Sequence, residues 1–103
     1  MNNYAKGAGL ERKIVKAELR KGNLSTRTPQ SRGFFDILII TRSKERKVIQ
    51  AKKFKMSPKE RQDAIDKFLP FADVLKANDF KCYLLEHYDR EDHYTDITNE
   101  VYQ

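Results

Sequence analysis

One cysteine, no tryptophan, three prolines and four glycines stand among the 103 residues of this chain, and each scarcity closes a class. A lone Cys82 permits no internal disulfide and no Cys-rich zinc site, so neither a secreted disulfide scaffold nor a zinc ribbon fits. Core packing is the role expected of it. No apolar run approaches the roughly 20 residues of a membrane-spanning helix. The polar start Met1-Asn2-Asn3-Tyr4 lacks the apolar segment of a signal peptide. The expectation is a soluble, intracellular protein that does not engage membranes. No repeat, long linker or low-complexity stretch divides the chain, and its length suits one domain, residues 1–103, with a modest core that a partner subunit would help to bury.

What is present is charge, unevenly spread. Residues 1–60 carry 16 Lys/Arg against 5 Asp/Glu, and the other 43 residues carry 5 against 10. The two parts contribute +11 and −5 to the net +6. A positive field of this kind attracts polyanions and releases their counterions on binding. A well-solvated surface on a highly charged protein is the alternative, and charge alone does not choose.

Leu10, Ile14 and Ala17 recur at helical spacing, broadened by Val15 and Leu19, and Gly22 supplies a stop, which predicts a helix over residues 6–21. A strand is expected over 23–27, a loop through Thr28-Pro29-Gln30-Ser31-Arg32-Gly33, and a strongly apolar strand over 34–41. The short polar link Ser43-Lys44-Glu45-Arg46 then makes residues 47–53 the antiparallel partner in a hairpin. Ser57-Pro58-Lys59-Glu60 is a complete helix start, with a hydroxyl cap, proline at the first position and glutamate at the third. Ile65, Phe68, Ala72 and Leu75 form the apolar stripe of that helix, and Pro70 should bend or divide it before Asn78. Residues 80–87 read as a buried strand, and 94–98 as a short edge strand or an irregular tail. The order is αβββαβ, with a further strand possible at the end. This predicts an α/β protein whose central mixed sheet is flanked by helices.

Within the expected hairpin, Asp36 enters one apolar strand while Gln50 and Lys52 lie two apart on the next. Adjacent strands would bring the three together as a metal-dependent site for cleaving phosphodiesters. Asp36 is a hard anionic oxygen donor suited to Mg²⁺ or Mn²⁺, and Asp is disfavoured in strands, so its placement before Ile37-Leu38-Ile39-Ile40 asks for a reason. Side-chain alternation puts Lys52 on the face of Gln50, where an ammonium group would orient an attacking water or stabilise charge growing on phosphate. Surface charge is its alternative, since Lys53 and Lys55 follow it.

With Lys6-Gly7 before the first helix, Glu11-Arg12 early in it, basic and hydroxyl residues through Ser31, Asp36, Gln50-x-Lys52, and a long helix before another strand, the sequence resembles the archaeal-type Holliday junction resolvases. These are a branch of the PD-(D/E)xK restriction-endonuclease-like nucleases. The resemblance implies a single restriction-endonuclease-like domain. It further implies a homodimeric Mg²⁺- or Mn²⁺-dependent endonuclease that binds branched DNA and resolves four-way junctions by paired hydrolysis. It gives Glu11, Asp36, Gln50 and Lys52 catalytic roles, with the first three as metal ligands. Gln50 departs from the Glu or Asp usual there; its carbonyl oxygen can still coordinate a cation, and Glu11 would restore some of the missing charge. A carboxylate near a helix N-terminus is also stabilising in its own right. Lys6, Arg12, Arg27, Ser31, Arg32, Lys53 and Lys55 are the expected DNA contacts, reading backbone and shape rather than base sequence. Phe34, Phe35 or the second-helix region would supply a dimer contact, although core packing also explains them. His87 and His93 lack a coherent ligand set, and Tyr83, Tyr88, Tyr94 and Tyr102 suit packing. Two alternatives remain: another nuclease of the superfamily acting on nicked, flapped or duplex DNA, and a noncatalytic DNA-binding protein.

Overall fold

The apolar runs of the sequence become the middle of one five-stranded sheet. The computed structural model describes residues 3–28 and 34–103. In chain order the strands are β1 (Leu24–Arg27), β2 (Ile37–Ile40), β3 (Arg46–Lys52), β4 (Phe80–Tyr88) and β5 (Glu91–Asp96), and they lie side by side in that same order. All neighbours are antiparallel except β3 and β4. A parallel pair needs a long crossover, and residues 53–79 supply it with α2 (Pro58–Phe68) and α3 (Ala72–Ala77). Helix α1 (Asn3–Arg20) precedes the sheet and a single turn, α4 (Thr98–Val101), follows it. No described helix is long and apolar enough to cross a membrane.

Local chemistry sets the helix ends. At α2 the Ser57 hydroxyl accepts from Glu60 N at 3.2 Å and the Glu60 carboxylate accepts from Ser57 N at 3.0 Å, with Pro58 beginning the helix. Two of the otherwise unpaired N–H groups are thereby met. Pro70 offers no N–H to the ladder, and the chain tightens into a 3₁₀ turn over Leu69–Phe71 before α3 resumes. Helix α1 stops at Gly22, whose φ of +87° suits glycine, and an added Cβ there would sit 3.0 Å from the Arg42 side chain.

The sheet is covered on both faces. Ile37, Ile39, Ile49, Ala51 and Leu85 pack against Leu10 and Ile14 of α1. On the other face Val48, Cys82 and Leu84 meet Ala64, Phe68, Leu75, Ile97 and Val101, so Cys82 is a core residue. β3 is the strand most enclosed, with Val48 through Ala51 all buried, as a central strand covered on both sides should be.

Four expectations are corrected. Lys6 and Gly7 lie inside α1 rather than before it. β2 begins at Ile37 rather than residue 34: the Phe34 ring packs edge-on against Phe35 and Phe68 and stacks on Phe71 at 4.4 Å, so these aromatics anchor a loop to the α2 side instead of extending the strand. The last strand is β5 at Glu91–Asp96, ahead of the expected 94–98. Asp89 and Arg90, both at positive φ (53° and 62°), join it to β4 in a two-residue turn, which is the geometry that matches strand twist. Residues after it form α4, which buries Val101 and follows the buried Ile97. The order is therefore αβββααββα.

Candidate functional site

The β2–β3 hairpin ends where Asp36 meets Gln50. Ile37 is paired with Ile49, so the preceding residue lies beside Gln50. Asp36 N donates to the Ile49 carbonyl at 2.8 Å, and Ala51 N donates to Asp36 Oδ2 at 2.8 Å. A further bond from Thr28 N to the Asp36 carbonyl, 2.9 Å, ties the exit of β1 to the same point. Asp36 is 4% exposed; its backbone is tied to β3 and to the exit of β1, and one carboxylate oxygen is oriented by a backbone N–H rather than by a flexible group.

Gln50 is 3% exposed. Its Nε2 donates to the Phe34 carbonyl at 3.1 Å, while Oε1 is buried with no hydrogen-bond partner among the described residues. Turning the amide over would set two carbonyl oxygens against each other, so the Phe34 carbonyl fixes the orientation. Lys52 closes β3 on the same face, and both residues line a cleft of about 150 Å³ with Glu60, Asp63 and Lys67 of α2.

Glu11 reaches the same end of the hairpin from α1. It is 7% exposed, with Arg27 Nη1 3.6 Å from its Oε1. Its carboxyl is pushed up to about 7, by burial first and then by the charge of Asp36, against the opposing pull of Arg27 and Lys52. Asp36, Lys52 and Arg27 thus each lie within range of the Glu11 charge, and Gln50 neighbours Asp36 through the β2–β3 register. The structure brings all four expected catalytic residues, and Arg27, to one place. Arg12 is exposed on α1; Lys53 and Lys55 are exposed beyond β3, with the Lys55 ammonium 5.8 Å from the Tyr88 ring centroid. Ser31, Arg32 and the Lys6 side chain lie outside the described residues. His87 bonds Asp92 at 2.6 Å and His93 stacks on Tyr88 at 4.0 Å, both within the β4–β5 hairpin, where His93 pairs with Glu86.

Sequence reasoning missed Glu86 and Arg61. Glu86 lies beside Lys52 in the parallel register and is 5% exposed. It accepts from Met56 N at 2.7 Å and from Arg61 Nη1 at 2.6 Å, pinning the segment after β3 and the start of α2 to β4. An acid after Leu84-Leu85 in a buried run was the available signal, but its partners follow only from the parallel pairing.

Among the described residues, no three His, Cys, Asp or Glu side chains converge as metal ligands. The donor set at the hairpin end is mixed: two carboxylates and an amide oxygen. It nevertheless suits a hard divalent cation. An orphaned Gln50 oxygen and two mutually repelling carboxylates are what such an ion would relieve.

No family model matches the sequence, and no curated protein matches it significantly. A solved structure does: that of Archaeoglobus fulgidus Hjc, a Holliday junction resolvase from an archaeal hyperthermophile. The chain shares that protein's fold. The TM-score is 0.62 at 18% identity, over 89% of this chain and 73% of the other. The architecture is restriction-endonuclease-like, as the ordered motifs implied. At that identity the likeness carries the fold, and the chemistry rests on the residues just described.

Proposed function

We propose that this chain is a single-domain, divalent-metal-dependent DNA endonuclease that acts as a homodimer on branched DNA, resolving four-way junctions by paired phosphodiester hydrolysis. The observation that carries this reading is the convergence of Asp36, Gln50, Lys52 and Glu11 at one end of the β2–β3 hairpin, in a fold shared with a Holliday junction resolvase.

Asp36, Gln50 Oε1 and Glu11 are the groups that would hold Mg²⁺ or Mn²⁺, and the ion would supply Lewis acidity at the scissile phosphate and acidify a water. The chain's own residues do the rest. Ala51 N–H fixes the direction of the Asp36 carboxylate, and the Phe34 carbonyl fixes that of the Gln50 amide. Lys52, anchored at the end of a rigid central strand, stabilises charge growing on the phosphate and orients the attacking water. Arg27 tempers the charge on Glu11 and stands ready for a phosphate oxygen, with Arg12, Lys53 and Lys55 exposed around it. Lys6, Ser31 and Arg32 are proposed as further DNA contacts on the strength of the sequence.

Resolving a junction takes two incisions, which two sites related by a two-fold axis supply. Leu69, Phe71 and Val74, 44%, 44% and 64% exposed, form an apolar patch where α2 passes to α3, and it is the surface favoured for the dimer. Stacking of Phe71 on Phe34 connects that patch to the loop entering Asp36.

The test compares four-way junction, flap, nicked and linear DNA with Mg²⁺ or Mn²⁺. Wild type should nick junctions in pairs. Asp36→Asn and Lys52→Ala should each lower the rate by about 10²–10³-fold or more, the scale of losing one positioned charge, while junction binding persists. Preferential cutting of flaps or duplex would replace the substrate, and binding without cleavage of any DNA would overturn the enzymatic reading.

A further inference from the structure

A wider cleft opens on the other side of α1, between that helix and the edge strand β1. Its volume is about 640 Å³, and Arg12, Lys13, Lys16, Arg20, Arg27 and Ser25 are among its lining. Among the described residues no carboxylate lines it. The acids on α1 are engaged elsewhere: Glu11 faces Arg27 and Asp36, and Glu18 accepts from Lys21 and Asn23. Among the described residues Arg12, Lys13, Lys16 and Arg20 form no ion pair. Four-residue spacing places Arg12, Lys16 and Arg20 in one row, about 12 Å long at the helical rise.

At the foot of this row is a group that points to a ligand. Ser25 is 8% exposed, its Oγ has no hydrogen-bond partner among the described residues, and it lines the cleft. Strand alternation puts it on the face of Arg27. A buried hydroxyl without a partner is costly, and a phosphate oxygen would satisfy it. One phosphate does not use a row of this length. At about 3.4 Å per nucleotide along one strand, it matches three to four nucleotides. Among the described residues Val15 is the one bulky apolar side chain lining the cleft, so a flat lipid surface has little to bury there.

One end of the row adjoins the candidate site, because Arg12 follows Glu11 and Arg27 pairs with it. We infer that this cleft is a track for the sugar-phosphate backbone of one DNA strand leading away from the scissile phosphate, with Lys16 and Arg20 neutralising successive phosphates and Ser25 Oγ donating to one of them. The inference rests on the nuclease reading for the choice of DNA, and adds residues that none of the catalytic chemistry uses.

The test measures equilibrium binding of a four-way junction in EDTA over a series of salt concentrations, for wild type, Lys16→Gln/Arg20→Gln and Ser25→Ala. Each neutralised phosphate contributes about 0.9 to the slope of log affinity against log salt. The double variant should therefore lose roughly 1.8 from that slope and bind at least tenfold more weakly at low salt, with its rate at saturating DNA unchanged. Ser25→Ala should weaken binding several-fold with the slope retained, because it removes a donor and no charge. Both altered positions of the double variant are exposed, and an unchanged circular dichroism spectrum and melting temperature confirm its fold. Wild-type affinity and slope in the double variant overturn the track while leaving cleavage, and so the nuclease reading, intact. Loss of slope in a protein that cuts no DNA supports the track and sinks the nuclease. A wild type that binds no DNA overturns both.

Discussion

Glu86 and Glu11 are buried carboxylates on opposite faces of one sheet, and their surroundings treat them oppositely. Glu86 receives a backbone N–H and a guanidinium, at 2.7 and 2.6 Å, and between them they hold three segments of chain together. Among the described residues Glu11 has one cation within 4 Å, at 3.6 Å, and burial first, then the charge of a second carboxylate, pushes its carboxyl up to about 7. Burial of an acid therefore does not mark a site. What separates the two is whether the fold itself satisfies the charge. On the α2 side it does, and the result is architecture. On the α1 side it does not, and under the proposed function that unmet charge is what an ion would answer.

The largest way to break this comparison is at Glu86. Glu86→Ala removes the acceptor of Met56 N and leaves Arg61 unpaired, which should cost about 3 kcal/mol in urea unfolding, the lower end for a broken buried pair because Arg61 is one-third exposed. At a temperature where the variant stays folded, the metal concentration for half-maximal cleavage should match wild type. A shift of tenfold or more would make Glu86 part of the site and erase the distinction.

Glu11 gives the converse. Its folded pKa lies above the ordinary carboxylate value of 4.5, so between about pH 4.5 and 7 the folded state holds more protons than the unfolded chain. Stability must then fall as pH rises through that window. The whole shift corresponds to about 3 kcal/mol; solvent reaching the pair past Arg27 reduces the expectation to roughly 1–2 kcal/mol. Relative to wild type, Glu11→Gln should gain that amount between pH 5 and 8 in thermal or urea unfolding. Added Mg²⁺ should raise wild-type stability most at the alkaline end and have little effect on the variant. Parallel pH profiles for the two proteins would refute the raised Glu11 carboxyl.

The sequence disclosed features whose causes are local. Ser57-Pro58-x-Glu60 carries its own hydrogen bonds, Pro70 breaks its own helix, and a short polar link makes β2 and β3 a hairpin, so the nearness of Asp36, Gln50 and Lys52 is legible in the sequence. Features set by distant partners were hidden. Phe34 and Phe35 have strand-forming composition, yet Phe71 and Phe68, more than 30 residues on, draw Phe34 out of the strand direction. The Asp89-Arg90 turn lacks the glycine that usually announces positive φ, which is why β5 was expected too late. Glu86 needed the parallel register, and the raised carboxyl of Glu11 needed Asp36 and Arg27 placed together in space. Ordered motifs were enough for the fold; the electrostatics required the tertiary structure.

The smallest expected effect sharpens the comparison most, because it turns the orphaned oxygen into a charge. Gln50→Glu forfeits the Nε2 bond to the Phe34 carbonyl and adds an anion beside Asp36. Without metal the variant should therefore melt at lower temperature, by the few degrees that about 1 kcal/mol represents in a chain of this size. With Mg²⁺ the sign should reverse. A carboxylate is a stronger ligand for a hard cation than an amide oxygen, so the metal concentration for half-maximal stabilisation should fall about tenfold, equivalent to about 1.4 kcal/mol, and half-maximal cleavage should follow it. If the melting temperature falls equally with and without Mg²⁺, the Gln50 oxygen faces no ion, and the unmet charge around Glu11 must be answered by Arg27, Lys52 and DNA alone.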